Sequence, residues 1–198
     1  LGHTSRSRAE RLIQDCCAAN MKCIRVWGGG LYPSDDFYDL CDRYGLIVWQ
    51  DFMFACAVYR MTPDFTANVT EEIKDNLKRL RHHASLGLVC GNNEMESGMM
   101  HWPGPKDSSK ELFKDYLYQY EILFRSLAAE YAPDVFYWPS SPSSTGSFND
   151  PDSHAYGDVH DWNVWHGREP LTYFQDKYYR FLSEFGLQSY PCSKTVNS

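Results

Sequence analysis

Short apolar runs alternate with helix-spaced segments along nearly all 198 residues, and that alternation leaves few folds open. A strand that is apolar at consecutive positions needs cover on both faces, and a helix after each such strand supplies it. The runs are Lys22-Cys23-Ile24-Arg25-Val26-Trp27, Leu46-Ile47-Val48-Trp49, Leu86-Gly87-Leu88-Val89-Cys90, Asp134-Val135-Phe136-Tyr137-Trp138, and then 157–164 and 179–185. Between them, residues 8–20 put Ala9, Leu12, Ile13, Cys16 and Cys17 on one helical face, and residues 35–44 do the same with Phe37, Leu40, Cys41 and Tyr44 before a stop at Gly45. Asn68 and Glu71 read as a capping box for a helix through Val69, Ile73, Leu77 and Leu80, with Asp75 and Arg79 paired on its wet side. Ser108 and Glu111 open another that runs past Leu127, and residues 173–179 form a short aromatic helix. Strand–helix alternation predicts an α/β fold with a parallel sheet. A βα barrel closes at eight strands, so the six found here would leave two apolar edges open.

Composition narrows the partners. A formal net charge of −7, with no long basic run, gives no reason to approach phosphate backbones or anionic lipid, so neither nucleic acid nor a membrane is expected. No apolar stretch approaches the roughly 18 residues of a membrane span. Leu1-Gly2-His3-Thr4-Ser5 lacks the build of a signal peptide, and without an initiator Met the chain is expected to be cut from a larger one. The seven cysteines form no CxxC pair and fall mostly on apolar faces. They are expected to be reduced, buried packing residues, which points to the cytoplasm.

The polar residues with chemistry to offer gather at one place in the pattern. Arg25, Trp27, Asp51, Asn93, Glu94, His160, Trp162 and Glu184 all lie at or just past the C-terminal end of a predicted strand, the rim where βα barrels do their chemistry. Glu94 in Gly91-Asn92-Asn93-Glu94 and Glu184 in Ser183-Glu184-Phe185-Gly186 supply two carboxylates from separate strands, as glycoside hydrolysis requires. Asn93 adds an amide able to hold a sugar hydroxyl. Glu184, in an aromatic setting, needs a cation to stay ionised, and Arg25 is the obvious one. Each residue also has a plainer reading: Arg25 as the partner of a buried carboxylate, Glu94 as a helix N-cap or loop carboxylate, and about half of the six tryptophans as core. The segment from His154 to His160, with Asp158 between, offers a pair of histidines but no third ligand at the spacing zinc sites require, so no metal is expected there. His82 and His83, ending a charged helix, read as solvated surface.

The runs Ile24-Arg25-Val26-Trp27-Gly28-Gly29-Gly30, Trp49-Gln50-Asp51-Phe52-Met53-Phe54-Ala55-Cys56, Gly91-Asn92-Asn93-Glu94, Gly157-Asp158-Val159-His160 and Ser183-Glu184-Phe185-Gly186-Leu187-Gln188-Ser189 closely resemble the β-mannosidases of glycoside hydrolase family 2. The resemblance implies a (β/α)8 TIM barrel, here incomplete, with residues 1–198 carrying about strands two to seven of the catalytic domain of a larger multidomain enzyme. The N-terminal sugar-binding and immunoglobulin-like domains, the first strand and the last are not in this sequence. It further implies Glu94 as acid/base, Glu184 as nucleophile, and Arg25, Trp27, Asp51, Asn93 and Trp102 as the lining of the terminal mannose subsite. Relatives with β-galactosidase or β-glucuronidase activity carry differently worded motifs around the acid/base. One departure stands out: Tyr32 is followed by Pro33 where the family has glutamate, so that glutamate's contact is lost and a stiffer loop is expected.

The expected activity is release of terminal, non-reducing β-D-mannose with retained configuration, with the carboxyls roughly 5 to 5.5 Å apart. The charge of Glu184 is expected to raise the pKa of Glu94 and keep it an acid. The family's chemistry needs neither metal nor organic cofactor. The alternatives are a sugar-binding fragment without turnover and another β-glycosidase of the same family. An incomplete barrel should hold the two glutamates loosely. The isolated 198-residue chain is therefore expected to hydrolyse 4-nitrophenyl β-mannoside weakly or not at all beside a full-length polypeptide, and equal rates would remove the argument.

Overall fold

The computed structural model describes residues 5–187 and 191–197. Helix α1 (Arg6–Ala18) starts where the Ser5 hydroxyl accepts from Arg8 N–H, and strand β1 (Cys23–Val26) follows. Then come α2 (Asp35–Tyr44), β2 (Ile47–Asp51), α3 (Pro63–Leu80), β3 (Leu86–Cys90), α4 (Met95–His101), α5 (Lys110–Tyr116), α6 (Phe124–Tyr131), β4 (Phe136–Trp138), β5 (Val159–Asp161), β6 (Leu182–Phe185) and α7 (Ser193–Val196). A π-helical stretch, Leu117–Leu123, joins α5 to α6, and the segment 171–176 forms a 3-10 helix where an aromatic α-helix was expected. Every ladder between the described strands is parallel. Strands β1 to β4 make a sheet in chain order, and β5 and β6 make a second pair. The α/β reading holds.

The helices lie against the sheet because their apolar stripes have nowhere else to go. Leu40, Ile73, Leu77, Leu80 and Phe124 are essentially without solvent contact. Phe52 and Phe54, just past β2, meet Phe124 and Tyr120 largely edge to face, an arrangement worth about 0.5–1.5 kcal/mol per pair beyond burial. Gly45 closes α2 at φ +71°, a left-handed conformation that glycine adopts at no steric cost.

Local chemistry corrects several sequence expectations. Helix α3 begins at Pro63, whose fixed φ suits the first turn, and Thr62 Oγ1 accepts from Phe65 N–H; Asn68 and Glu71 therefore lie inside the helix. Ser109, not Ser108, caps α5. Arg79 reaches Asp35 at 2.6 Å and the Pro33 carbonyl rather than Asp75, so it ties the loop after β1 to α3. His83 is buried, not solvated: its Nδ1 lies 2.7 Å from Asp42, which also accepts from Ser85 N–H. All seven cysteines are free, but only Cys41 and Cys90 are buried, because the others sit toward helix edges, strand ends and loops. Of the tryptophans, Trp49 alone is buried.

Helix α4, not foreseen, buries Met95, Glu96, Ser97, Gly98 and Met99. Its Glu96 anchors the loop 139–153, accepting from Ser143 Oγ at 2.9 Å, Phe148 N–H at 3.1 Å and Tyr116 Oη at 3.3 Å. Burial pushes the Glu96 carboxyl up to about 7, Ser143 works against that, and the charge of Glu121 adds to it. An apolar hollow of about 550 Å³ opens at the other end of the strands, lined by Ile47, Trp49, Leu88, Phe136, Trp138 and Phe181 among others. Ile47, Phe136 and Phe181 are more than half exposed there.

The folded state binds the Glu96 proton more tightly than the unfolded chain does. This group therefore stabilises most below pH 4.5 and loses that contribution as pH rises toward 7, by up to about 3 kcal/mol. Glu96→Gln keeps an oxygen for Phe148 N–H and should raise the denaturation midpoint at pH 8 with little change at pH 4.5. An equal effect at both pH values would show that Glu96 is not the titrating group.

Candidate active site

The site is assembled from strand ends. After β1 the chain passes Gly28, where a Cβ would stand 2.6 and 2.7 Å from the Phe54 and Phe52 carbonyl oxygens, and Gly29, where it would strike the Trp27 ring. These glycines serve close approach rather than a left-handed turn: they let β1 end against the segment after β2 and let the Trp27 indole fold back. Trp27 is left 47% exposed on the rim.

Arg25 on β1 is the hub. Its Nη2 donates to Asp51 Oδ2 and to Asn93 Oδ1, both at 2.8 Å, its Nη1 to Glu184 Oε1 at 2.5 Å, and its Nε to Asp51 Oδ1 at 3.3 Å. The Trp49 ring lies 5.3 Å from the guanidinium carbon. Burial works against the Arg25 charge, but the Asp51 carboxylate outweighs it and the guanidinium stays above its ordinary value. Burial also pushes the Asp51 carboxyl up, opposed by Arg25 and by hydrogen bonds from Gly28 N–H and Trp49 Nε1. The cation expected for Glu184 is thus Arg25. Asp51, foreseen as a sugar ligand, is fully buried beneath Arg25 and holds it in place.

Glu94 sits just past β3 at φ +62°, an uncommon conformation for a residue with a side chain. Its N–H donates to the Ser141 carbonyl at 2.7 Å, and its own carbonyl accepts from Gly98 N–H at 2.8 Å, which starts α4. Its Oε2 takes hydrogen bonds from Asn93 Nδ2 at 3.3 Å and the Cys56 thiol at 3.5 Å, and its Oε1 lies 2.9 Å from His160 Nδ1. Burial pushes the Glu94 carboxyl up, yet the hydrogen bond and charge of His160, with Cys56 and Asn93, bring it below its ordinary value. The sequence reading expected the reverse; the imidazole between the glutamates is the reason.

Glu184 on β6 pairs in register with His160 on β5. Besides Arg25, it accepts from Trp162 Nε1 at 3.2 Å and lies 3.4 Å from His160 Nδ1. Glu94, His160 and Glu184 offer ligand atoms within 4.8 Å of one another, so one oxygen of each carboxylate lies within that distance of the other. Such a trio has the donor set for a cation, although Arg25 already supplies positive charge at Glu184. Asp39, Asp42 and His83 are a second group of this kind. His154 meets the Tyr179 ring edge to face, with centroids 4.6 Å apart, and takes no part in the first group.

Two cavities share Glu94 and Trp162. One, about 570 Å³, is lined by Arg25, Trp27, Asn93, Glu94, Trp162, Ser183 and Glu184. The other, about 390 Å³, is lined by Glu94, Ser97, Trp102, Pro142, Asp152, His160, Trp162 and His166. Trp102, foreseen beside the terminal sugar, borders only the second. His160, foreseen as a sugar ligand, turns both ring nitrogens to protein. Sequence reasoning missed Ser141, Asp152 and His166 and gave Asp158 no role beyond a family motif and a metal site it set aside; the serines and acids of 139–153 looked like an ordinary polar loop.

No family model matches the chain. It is 40% identical over 98% of its length to Beta-mannosidase B from Thermothelomyces thermophilus and 41% identical over 88% to Beta-mannosidase B from Aspergillus fumigatus. A crystal structure of β-D-mannosidase from Dictyoglomus thermophilum superposes on 98% of the chain with a TM-score of 0.89 at 36% identity, covering 23% of that structure. The exo-chitosanase CsxA from Amycolatopsis orientalis shares the fold over 98% of the chain, with a TM-score of 0.64 at 13% identity, and 22% of that structure is covered. The chain spans about a quarter of the length of these curated relatives, 23% and 21% respectively. Over nearly its whole length, this chain is a homologue of one segment of the β-mannosidases, as its motifs suggested.

Proposed function

We propose that the chain carries the catalytic centre of a retaining exo-β-mannosidase of glycoside hydrolase family 2, within a larger multidomain polypeptide. The observation that carries this reading is that Glu94 and Glu184 bring one carboxylate oxygen each to within 4.8 Å of the other. Retaining glycosidases keep such groups about 5–5.5 Å apart, whereas inverting ones leave roughly 6.5–9.5 Å for a water. The homology to β-mannosidases selects the sugar.

In this reading the parallel strands are about the second to seventh of a (β/α)8 barrel. The apolar hollow around Phe136 and Phe181 is the interior that the remaining strands would fill. The terminal mannose occupies the larger cavity, with Arg25, Trp27, Asn93 and Trp162 around it. Glu184, oriented by Arg25 and Trp162, attacks the anomeric carbon while Glu94 protonates the departing oxygen. Water then enters from the leaving-group side, gives a proton to Glu94 and releases mannose. Because the smaller cavity meets the larger one at Glu94, it takes the leaving group, with Trp102 as a flat face for it.

In the full-length polypeptide, Glu184→Ala should reduce hydrolysis of β-mannosides to background, and azide should restore turnover as α-mannosyl azide. A β-azide product would reverse the role assignment. Glu94→Ala should lose about 10²–10⁴-fold in kcat/KM on alkyl mannosides but far less on dinitrophenyl mannosides, whose leaving groups need no proton. Trp102→Ala should weaken β-1,4-mannobiose about 3- to 10-fold in KM, the worth of one stacked ring, while inhibition by free mannose stays unchanged. Weakened mannose inhibition would return Trp102 to the terminal subsite.

A further inference from the structure

His160 meets oxygen at both ring nitrogens: Nε2 lies 2.9 Å from Ser141 Oγ, and Nδ1 lies 2.9 Å from Glu94 Oε1 and 3.4 Å from Glu184 Oε2. The hydrogens behind Ser141 decide what Nε2 carries. Its single hydroxyl proton faces Asp158 Oδ2 at 2.6 Å. Asp158 accepts at that same oxygen from Ser183 Oγ at 2.6 Å, a contact shorter than the 3.2 Å from that hydroxyl to the Val159 carbonyl, and at Oδ1 from Trp138 Nε1 at 2.9 Å and Ser143 N–H at 3.1 Å. Both oxygens thus have two donors, which leaves no free direction for a carboxyl proton. Ser141 therefore donates to Asp158 and offers His160 only a lone pair, so Nε2 bears a hydrogen. On the other side, a bare Nδ1 lone pair against two carboxylates would be repulsive, so a proton lies between Nδ1 and Glu94.

We infer that His160 holds this proton as an imidazolium in the resting site and is the store from which Glu94 is charged when it acts as an acid. The inference rests on Glu94 and Glu184 being acid/base and nucleophile. As the glycosidic bond breaks, the Nδ1 proton passes to Glu94 Oε1, and the Glu94 carboxyl gives a proton to the departing oxygen. A Glu184 oxygen meanwhile bonds the anomeric carbon. In the second step, water gives a proton to Glu94 as its oxygen displaces Glu184, and the proton returns to Nδ1. Glu184 loses its negative charge in the first step just as His160 loses its positive one, so the summed charge of the three groups does not change. The depressed position of Glu94 agrees with this: a carboxylate held ionised needs a proton from elsewhere. The groups facing the ring are Glu94 beyond β3, Glu184 on β6, and Asp158 with Ser183 through Ser141. Arg25 lies on the far side of Glu184, and the Cys56 thiol lies on Glu94. His160 acts through Glu94 and is a positioning residue.

The test is His160→Asn in the full-length polypeptide, with β-1,4-mannobiose and 2,4-dinitrophenyl β-mannoside as substrates. The loss of kcat/KM should be roughly 10²-fold for mannobiose, in the range of general acid catalysis, and at least tenfold smaller for the dinitrophenyl substrate. The alkaline limb of the mannobiose profile should move down by about one pH unit, since Glu94 then holds the proton alone. Equal losses on both substrates, or an unmoved limb, would overturn the proton store and leave the assigned roles of the two glutamates standing. Wild-type protein inactive on both would overturn the proposed function and this inference together. If His160→Asn does not fold, Ser141→Ala keeps the ring and both glutamates. It should show the same leaving-group-dependent loss at roughly 3- to 10-fold, about one hydrogen bond's worth, and a uniform loss would be equally fatal.

Discussion

Four strands meet at one guanidinium. Arg25 leaves β1 and reaches Asp51 at the end of β2, Asn93 past β3 and Glu184 on β6, so one cation fixes the relative positions of residues up to 159 apart in sequence. A charge this buried is costly unless its donors are met, and here Nε, Nη1 and Nη2 all find oxygen acceptors. The planar fork matters as much as the charge. Lysine would supply one flexible ammonium in place of the two-point grip on Asp51, and Glu184 and Asn93 would lose a common reference. Removing Arg25 would leave Asp51 buried with only Gly28 and Trp49 to satisfy it, a far larger disturbance than loss of a surface ion pair.

The six strands, their parallel sense and the gathering of chemistry at one set of strand ends were legible in the sequence, because they rest on apolar periodicity and on motifs that sit where strands stop. The pairing of Arg25 with Glu184 was legible for the same reason: an ionised carboxylate among aromatics needs a cation. What was not legible depends on contacts between distant loops. Helix α4 hides because Met95 to Met99 are buried nearly all round, polar Glu96 and Ser97 included, so no apolar stripe is set off from a wet face. His83 looked exposed beside His82, and only the fold brings Asp42 to it. Ser141, Asp158 and Ser183 look like ordinary loop and strand polar residues until they converge beneath His160.

The backbone at Glu94 shows why the loop 139–153 belongs to the site rather than merely joining two strands. A side-chain-bearing residue at φ +62° costs about 1–3 kcal/mol and persists only where its surroundings over-determine it. Here the Ser141 carbonyl takes the Glu94 N–H, and the Ser141 N–H donates to the Asn92 carbonyl at 2.9 Å. Asn92 in turn holds the Pro139 carbonyl, Ser140 Oγ and Met95 N–H. At about 0.5–1.5 kcal/mol net per hydrogen bond, this set is large enough to hold the strained turn. Ser141 thus does two jobs. Its backbone fixes where Glu94 stands, and its hydroxyl fixes which proton His160 carries on the far side of the ring.

The same economy explains the arrangement of the two cavities. They meet at Glu94 and Trp162, so any group bound in one is within reach of the carboxyl that also borders the other. An acid that serves a leaving group must touch both the bond to be broken and the space the fragment departs into; a nucleophile needs only the first. Glu184 borders the larger cavity alone and Glu94 borders both, an asymmetry that supports the roles proposed for them independently of any pKa argument. Trp162 is the hinge of this division, with its Nε1 on Glu184 and its ring against both spaces. Under the proposed reading, a change at Trp162 therefore disturbs Glu184 and both cavities at once, whereas a change at Trp102, which borders the smaller cavity only, leaves the larger one as it is.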